Sequence, residues 1–183
     1  MFEFKRLDRA HLSLVLAWRL SSAVSEFMFS DISPDPQLQL AWFENLKQRT
    51  DVNYWVIYYQ QSPIGVISQN DISREHKRCS WGFYIGDQAC KNLGGLVPPY
   101  FYNFVFLDPS INKITAEVMS NNTQVVKLHK LHGYREVGVW QEHIYKKGNV
   151  YDVHLMELHR EDWINKKRFK KYIAPFEHIL TNS

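Results

Sequence analysis

The chain is predicted to fold as a single mixed α/β domain, and three observations carry that prediction. Its 183 residues are 45% apolar and 22% charged, with 27 aromatics (six Trp, ten Tyr, eleven Phe), a composition that supports one core burying roughly 70% of the unfolded chain's surface. Eight Gly and seven Pro provide no low-complexity linker at which a second domain would begin. Runs of β-branched and aromatic residues alternate along the chain with segments whose apolar residues recur every three or four positions, so strands and helices are interleaved.

Phe2 to Leu7 alternates as an opening strand, and Asp8 caps a helix in which Leu12, Val15 and Leu16 recur at helical spacing. Leu7 and Leu12 are placed to close a hydrophobic staple over that cap. Ser21 to Ile32 is an irregular connection. Ser33-Pro34 then opens a second helix whose face is traced by Leu38, Ala41, Trp42 and Leu46. Tyr54 to Tyr59 and Ile64 to Asn70 form a hairpin turned by Gln-Gln-Ser-Pro, and a further strand, Cys79 to Ile85, ends at Gly86-Asp87. Pro98 and Pro99 fit a helix over Val97 to Leu107 only in its first turn, where the ladder needs no N–H. Ile111 to Met119 is a strand, Asn122 to Leu131 a helix stopped by Gly133, and a hairpin turning at Gly148-Asn149 runs to Leu158. Glu161 to Tyr172 is predicted as a basic helix, which divides the chain into residues 1–160 and a C-terminal helix or tail, 161–183.

The formal net charge is +3. Lys166, Lys167, Arg168, Lys170 and Lys171 hold five positive charges, which leaves the rest of the chain at about −2. Confined to one run with only Phe169 interleaved, the basicity describes a solvated helix face, and no nucleic-acid partner is predicted. Cys79 and Cys90 lie outside any metal spacing and are predicted as free thiols, and no HExxH-like grouping calls for a metal. The opening residues lack the apolar core of a signal peptide. The longest uncharged run, Asn92 to Leu107, is interrupted by glycines and prolines and falls short of the ~20 apolar residues of a membrane span. A cytoplasmic protein without membrane contact is expected.

Gly94-Gly95 sits between a strand end and a helix start. Consecutive amides there suit phosphate oxygens, but a tight turn uses the same pair, and no GxGxxG or P-loop sequence surrounds it. Glu117 to Thr123 followed by Val125 to Tyr134 is more specific, since it joins a strand end, an Asn at a helix start and a Gly-aromatic stop. In that order and spacing, the chain resembles the GCN5-related N-acetyltransferases (GNAT) over nearly its whole length. Trp18-Arg19, Trp42-Phe43, Gly82-Phe83-Tyr84-Ile85, Asn121-Asn122 and Leu128 to Tyr134 make it most similar to the PseH type. That type acetylates the 4-amino group of a UDP-linked 4-amino-4,6-dideoxy sugar on the route to pseudaminic acid. Ribosomal-protein and spermidine acetyltransferases share many of these marks.

The resemblance implies a mixed, mostly antiparallel sheet, split after Cys79 to Ile85 to admit acetyl-CoA, and direct acetyl transfer to a primary amine. It implies that Phe83, Tyr84 and Ile85 bind the pantetheine arm, that amides around Leu93, Gly94, Gly95 and Leu96 hold the pyrophosphate, and that Asn122 touches the same arm. Arg19 becomes a substrate contact whose guanidinium fork grips a diphosphate, with Tyr84 packing on the sugar. Without the resemblance, Arg19 equally suits a helix end as a cation at the dipole. The chemistry needs a neutral amine, a polarised carbonyl and a proton for the departing thiolate. His129 stands where many members place a Tyr acid; with a pKa of about 6.5 it could donate that proton, or it could simply face solvent. Glu117 is the candidate base, acting through a water, with Asp71 and His76 as competitors. The chain departs from the family in its adjacent glycines, its Pro-Pro helix start, and Gln39 where related enzymes often carry His. A UDP-amino sugar and a homodimer partner are expected; an acyl-CoA-binding regulatory module without turnover is the alternative of another class.

Overall fold

The computed structural model describes residues 1–177. Among those residues the strands are β1 (Phe2–Arg6), β2 (Asn53–Tyr59), β3 (Ser62–Ser73), β4 (Arg78–Ile85), β5 (Lys113–Met119), β6 (Arg135–Lys146) and β7 (Asn149–His159). The α-helices are α1 (Leu12–Leu20), α2 (Ser22–Ser25), α3 (Pro36–Leu46), α4 (Val97–Val105), α5 (Thr123–His132) and α6 (Arg160–Ile164). The strands join one sheet in the order β1-β2-β3-β4-β5-β7-β6, antiparallel except for the β4-β5 pair. This is the mixed, mostly antiparallel α/β sheet expected from the sequence.

Alternation along the strands sends side chains to two covered faces. Trp55 and Ile57 of β2 join Phe101, Tyr102 and Val105 of α4 in the larger core. Val56 joins Leu12, Val15 and Trp18 of α1 and Phe43 of α3 on the opposite face. Because both faces are covered, β2 reads as one apolar run instead of an alternating one.

Most boundaries fall where the sequence places them. Asp8 caps a short 3-10 turn, Arg9–His11, by accepting from Ala10 N at 2.9 Å, and α1 continues from it. Leu7 and Leu12 are both buried in the smaller core. The second helix begins two residues later than predicted: Asp35 accepts from Gln37 N at 2.8 Å and Pro36 opens the first turn. Ser33-Pro34 and Asp35-Pro36 are equivalent cap-plus-proline pairs, and the side-chain bond selects the second. The helix buries Phe43 instead of Leu38, which is 57% exposed. Gln60 and Gln61 turn the first hairpin with φ of 49° and 68°, the handedness that matches strand twist, so Pro63 lies within β3 opposite Tyr58 beside a bulge. Gly133 ends α5 at φ 101°.

The basic helix expected over Glu161 to Tyr172 is corrected. α6 stops at Ile164 and a separate 3-10 turn covers Lys167–Phe169. Trp163 and Phe169 are both buried in the larger core and stack on each other at 5.0 Å. Six residues apart, they would sit about 120° around and about 9 Å along a continuous helix, so the chain must break for the two rings to stack in one core. Phe176 then stacks between Phe4 and Phe104 at 3.9 and 4.1 Å, and Phe4 bonds Pro175 O and Glu177 N along the outer edge of β1. Trp163, Phe169 and Phe176 thus anchor residues 161–177 of the predicted tail to the domain's core; 178–183 lie outside the described residues.

Candidate active site

Strands β4 and β5 pair only at Arg78-Lys113, Cys79-Ile114 and Ser80-Thr115, then separate. The split therefore begins inside β4, after Ser80, rather than after Ile85. Trp81 wedges into the core side of the gap, stacked on Phe83 at 5.3 Å and within 5.5 Å of His129. Cys79 O accepts from Thr115 Oγ1 across this edge. By alternation the backbone groups of Trp81, Phe83 and Ile85 face the same open side, and those of Tyr84 face β3. Of the three residues expected to bind the pantetheine arm, Phe83 and Ile85 present their backbone groups to the open edge. Tyr84 instead turns its ring to the opposite face of the sheet, among Val15, Trp18 and Tyr54.

A cleft of about 1120 Å³ opens at the gap and passes under the Ser21 to Ile32 connection. Phe83, Tyr84, Ile85, Gly94, Gly95 and Asn122 line it, as do Arg19, Glu117 and His129, so residues from α1, β4, β5 and α5 meet in one site. Leu93 packs against the larger core and Leu96 is 42% exposed, and neither lines the cleft. Asp71 is bound to Ser80 Oγ at 2.6 Å and His76 lies in the β3-β4 turn, both outside the cleft wall.

Gly94-Gly95 falls within a 3-10 run, Gln88–Leu96. In such a run each amide tends to bond the carbonyl three residues back, and Val97 N–H bonds Gly94 O. Pro98 and Pro99 carry no N–H, so the expected amide cradle is narrower than the family's. Lys91 and Gln124, which sequence reasoning passed over, line the same cleft. A Cβ added at Gly95 would meet nothing within 4 Å, and at Gly94 only Ile85 and Phe83 at ordinary contact. Neither glycine is demanded by positive φ or by crowding within the chain.

Asn122 is the N-cap of α5 but makes no side-chain capping bond, leaving its amide free toward the cleft. Arg19 donates through Nη2 to Ser30 O at 3.3 Å, while Nη1 is buried without a partner. Burial pushes the Tyr84 and Tyr54 phenols up, so both are neutral hydroxyls. Glu117 is exposed on β5 opposite Leu155.

His129 needs correction. It is 3% exposed, stacked on Tyr134 at 4.6 Å with Nδ1 unpartnered. Burial, with His132 adding to it, pulls its pKa down to about 3. It neither faces solvent nor carries a proton with a pKa near the free value; the cleft meets a neutral imidazole. The sequence signal for this lay in Gly133-Tyr134, which folds an aromatic back under the last turn. Among the described residues no three His, Cys, Asp or Glu side chains group as a metal site, and no helix is long and apolar enough to cross a membrane.

The Acetyltransferase (GNAT) domain family matches residues 17–155. The chain belongs to the GNAT acetyltransferases. GNAT enzymes use acetyl-CoA, and this chain is an acetyl-CoA-dependent N-acetyltransferase. The acetyltransferase PseH of Campylobacter jejuni is 26% identical over 127 residues, 69% of this chain and 78% of that protein. Among solved structures, the Vibrio cholerae spermidine N-acetyltransferase in complex with CoA and spermine superposes with a TM-score of 0.82. It is 17% identical, over 90% of this chain and 98% of that one. A dodecameric form of the V. cholerae enzyme gives 0.76 at the same identity, over 90% and 97% of the two chains. These structures share the GNAT fold with this chain. The open edge of β4, the uncrowded Gly95 and the free Asn122 amide fit an acyl-CoA in the GNAT cleft.

Proposed function

We propose that this GNAT enzyme acetylates the primary amine of an anionic, nucleotide-linked amino sugar, the 4-amino group of a UDP-linked 4-amino-4,6-dideoxy sugar, in the cytoplasm. The observation that carries the proposal is the charge of the cleft. Among the described residues its wall holds one carboxylate, Glu117, against Arg19 and Lys91. A polyamine with several ammonium groups is recognised by several carboxylates, whereas a diphosphate is recognised by a guanidinium with a nitrogen to spare. Arg19 lines the cleft and its Nη1 has no hydrogen-bond partner among the described residues, so a turn of this buried nitrogen toward the cleft would offer it to a diphosphate. Trp42 and Tyr54, edge-on at 5.4 Å, add an aromatic wall on which a pyrimidine or sugar face can pack. The resemblance to the PseH type points the same way.

The acyl donor supplies a thioester whose carbonyl carbon takes the amine. The outward N–H groups of Phe83 and Ile85 polarise the carbonyl oxygen where negative charge develops. Asn122 and the backbone beside Gly94 and Gly95 position the donor's arm, with Lys91 opposing its phosphates. Glu117 withdraws the amine proton through a water. His129, being neutral, donates an N–H hydrogen bond to the leaving sulfur as the C–S bond breaks, and the thiolate receives, through water, the proton that Glu117 took from the amine. The expected homodimer would pair at β6, the sheet's outer strand, which is exposed along most of its length.

Acetyl transfer measured against a UDP-4-amino-4,6-dideoxy sugar, spermidine and N-terminal peptides tests the proposal. Turnover of the sugar nucleotide well above the others is expected. Activity confined to spermidine or the peptides rejects it, and no turnover with any amine would favour a binding module.

A further inference from the structure

Lys146, at the end of β6, stands apart from the catalytic cleft and is 7% exposed. Its Nζ donates to Ser25 O and Met28 O, both at 2.7 Å, and meets Asp31 Oδ1 at 2.9 Å. An ammonium has three protons, and here each has an oxygen within reach. All three oxygens belong to one segment, Ser25 to Asp31, more than a hundred residues away in sequence. The same segment contributes Phe27, Met28 and Phe29 to the cleft wall. It has little regular structure of its own beyond α2 and, among the described residues, one other side-chain hydrogen bond, from Arg19 to Ser30 O at 3.3 Å.

We infer that Lys146 is a positioning residue that holds the Ser25 to Asp31 segment in place as the wall of the amine site, so that acceptor affinity depends on the far edge of the sheet. The segment is pinned from outside by Lys146 and from inside by Arg19. Without the outer pin, the wall must be ordered each time the amine binds, and the cost appears in acceptor affinity. The acyl-donor half of the cleft, built on β4, Gly94-Gly95 and Asn122, does not touch this segment's anchor and keeps its affinity.

The test compares the wild-type chain with Lys146→Met and Asp31→Asn. Hydrogen exchange of the amides in residues 25–31 is read first, and acetyl-CoA binding by calorimetry second. For Lys146→Met, exchange in 25–31 accelerates by about tenfold or more while that of β2 and β3 is unchanged. The Kd for acetyl-CoA stays within about twofold, and KM for the amine rises about tenfold with a smaller change in kcat. Asp31→Asn, which keeps both carbonyl bonds, gives a rise of about two- to threefold and carries the test if Lys146→Met does not fold. Unchanged exchange in 25–31, or acetyl-CoA and amine affinity falling together, overturns the inference. The kinetic arm uses the UDP-amino sugar and so rests on the proposed function. If the wild-type enzyme does not turn that sugar over, the proposed substrate fails, while exchange and acetyl-CoA binding still decide the role of Lys146.

Discussion

His129 and His132 give the enzyme an acid sensitivity whose size follows from their burial. They are 3% and 1% exposed, and both leave Nδ1 unpartnered. Burial, joined by His132, lowers the His129 pKa to about 3; burial, joined by Arg168 and Lys166, lowers that of His132 to about 4. In the unfolded chain both titrate near 6.5. Below that pH the unfolded state takes up protons that the folded state refuses, so stability is full above 6.5 and falls with pH until each folded pKa is passed. At pH 5 both folded values have yet to be reached, and each histidine costs about 2 kcal/mol, from 1.5 units at 1.36 kcal/mol per unit. The pair therefore removes about 4 kcal/mol between pH 7.5 and pH 5, a large share of a domain's stability. Urea unfolding followed by tryptophan fluorescence at the two pH values measures this for the wild type, His132→Phe and His129→Phe. Any repacking cost of the phenyl ring is common to both pH values and cancels. Each variant should lose about 2 kcal/mol less on acidification than the wild type. Equal losses in wild type and variants would refute the claim that these imidazoles are held neutral.

Three further outcomes follow from other parts of the molecule. Burial raises the pKa of the Glu157 carboxyl, but Lys113, Arg135 and His159 together bring it down to about 2 from 4.5, so its contribution is full above 4.5 and fades as pH falls toward 2. Glu157→Gln should cost about 2 kcal/mol at pH 7, discounted because Arg135 is largely exposed, with the difference shrinking in melts near pH 3. At Gly86 an added Cβ would lie 2.2 Å from the Trp18 ring, so Gly86→Ala should destabilise by about 1–3 kcal/mol in urea titration and displace the helix that carries Arg19. If the proposed sugar nucleotide is the substrate, Arg19→Met should raise its KM at least about tenfold, leave acetyl-CoA Kd within about twofold, and flatten the salt dependence of kcat/KM.

Much of the fold was legible because its signals are local. The apolar run of β2, the Asn122 and Gly133 limits of α5, and the prolines of the first turn of α4 each act within a few residues. The meeting of Arg19, Gly95, Asn122 and Glu117 in one cleft was legible through motif order, although nothing local shows where β4 and β5 part. What escaped was set by contacts distant in sequence. Lys146 is an ordinary strand lysine until the chain brings it to Ser25. The basic run was read as a helix because its charges are visible and the joint demand of Trp163 and Phe169 for one core is not. His129 follows helical spacing from Val126, but its neutrality depends on Trp81 and Tyr134 closing over it.

The structure of the enzyme with CoA and the UDP-4-amino sugar both bound tests the central claim most directly. The pantetheine arm is expected along the open edge of Trp81 to Ile85, the amine near Glu117, and the proposed sugar nucleotide's diphosphate on the Arg19 guanidinium. A diphosphate lying away from Arg19, or a cleft that holds CoA but leaves the sugar nucleotide in solvent, would contradict it.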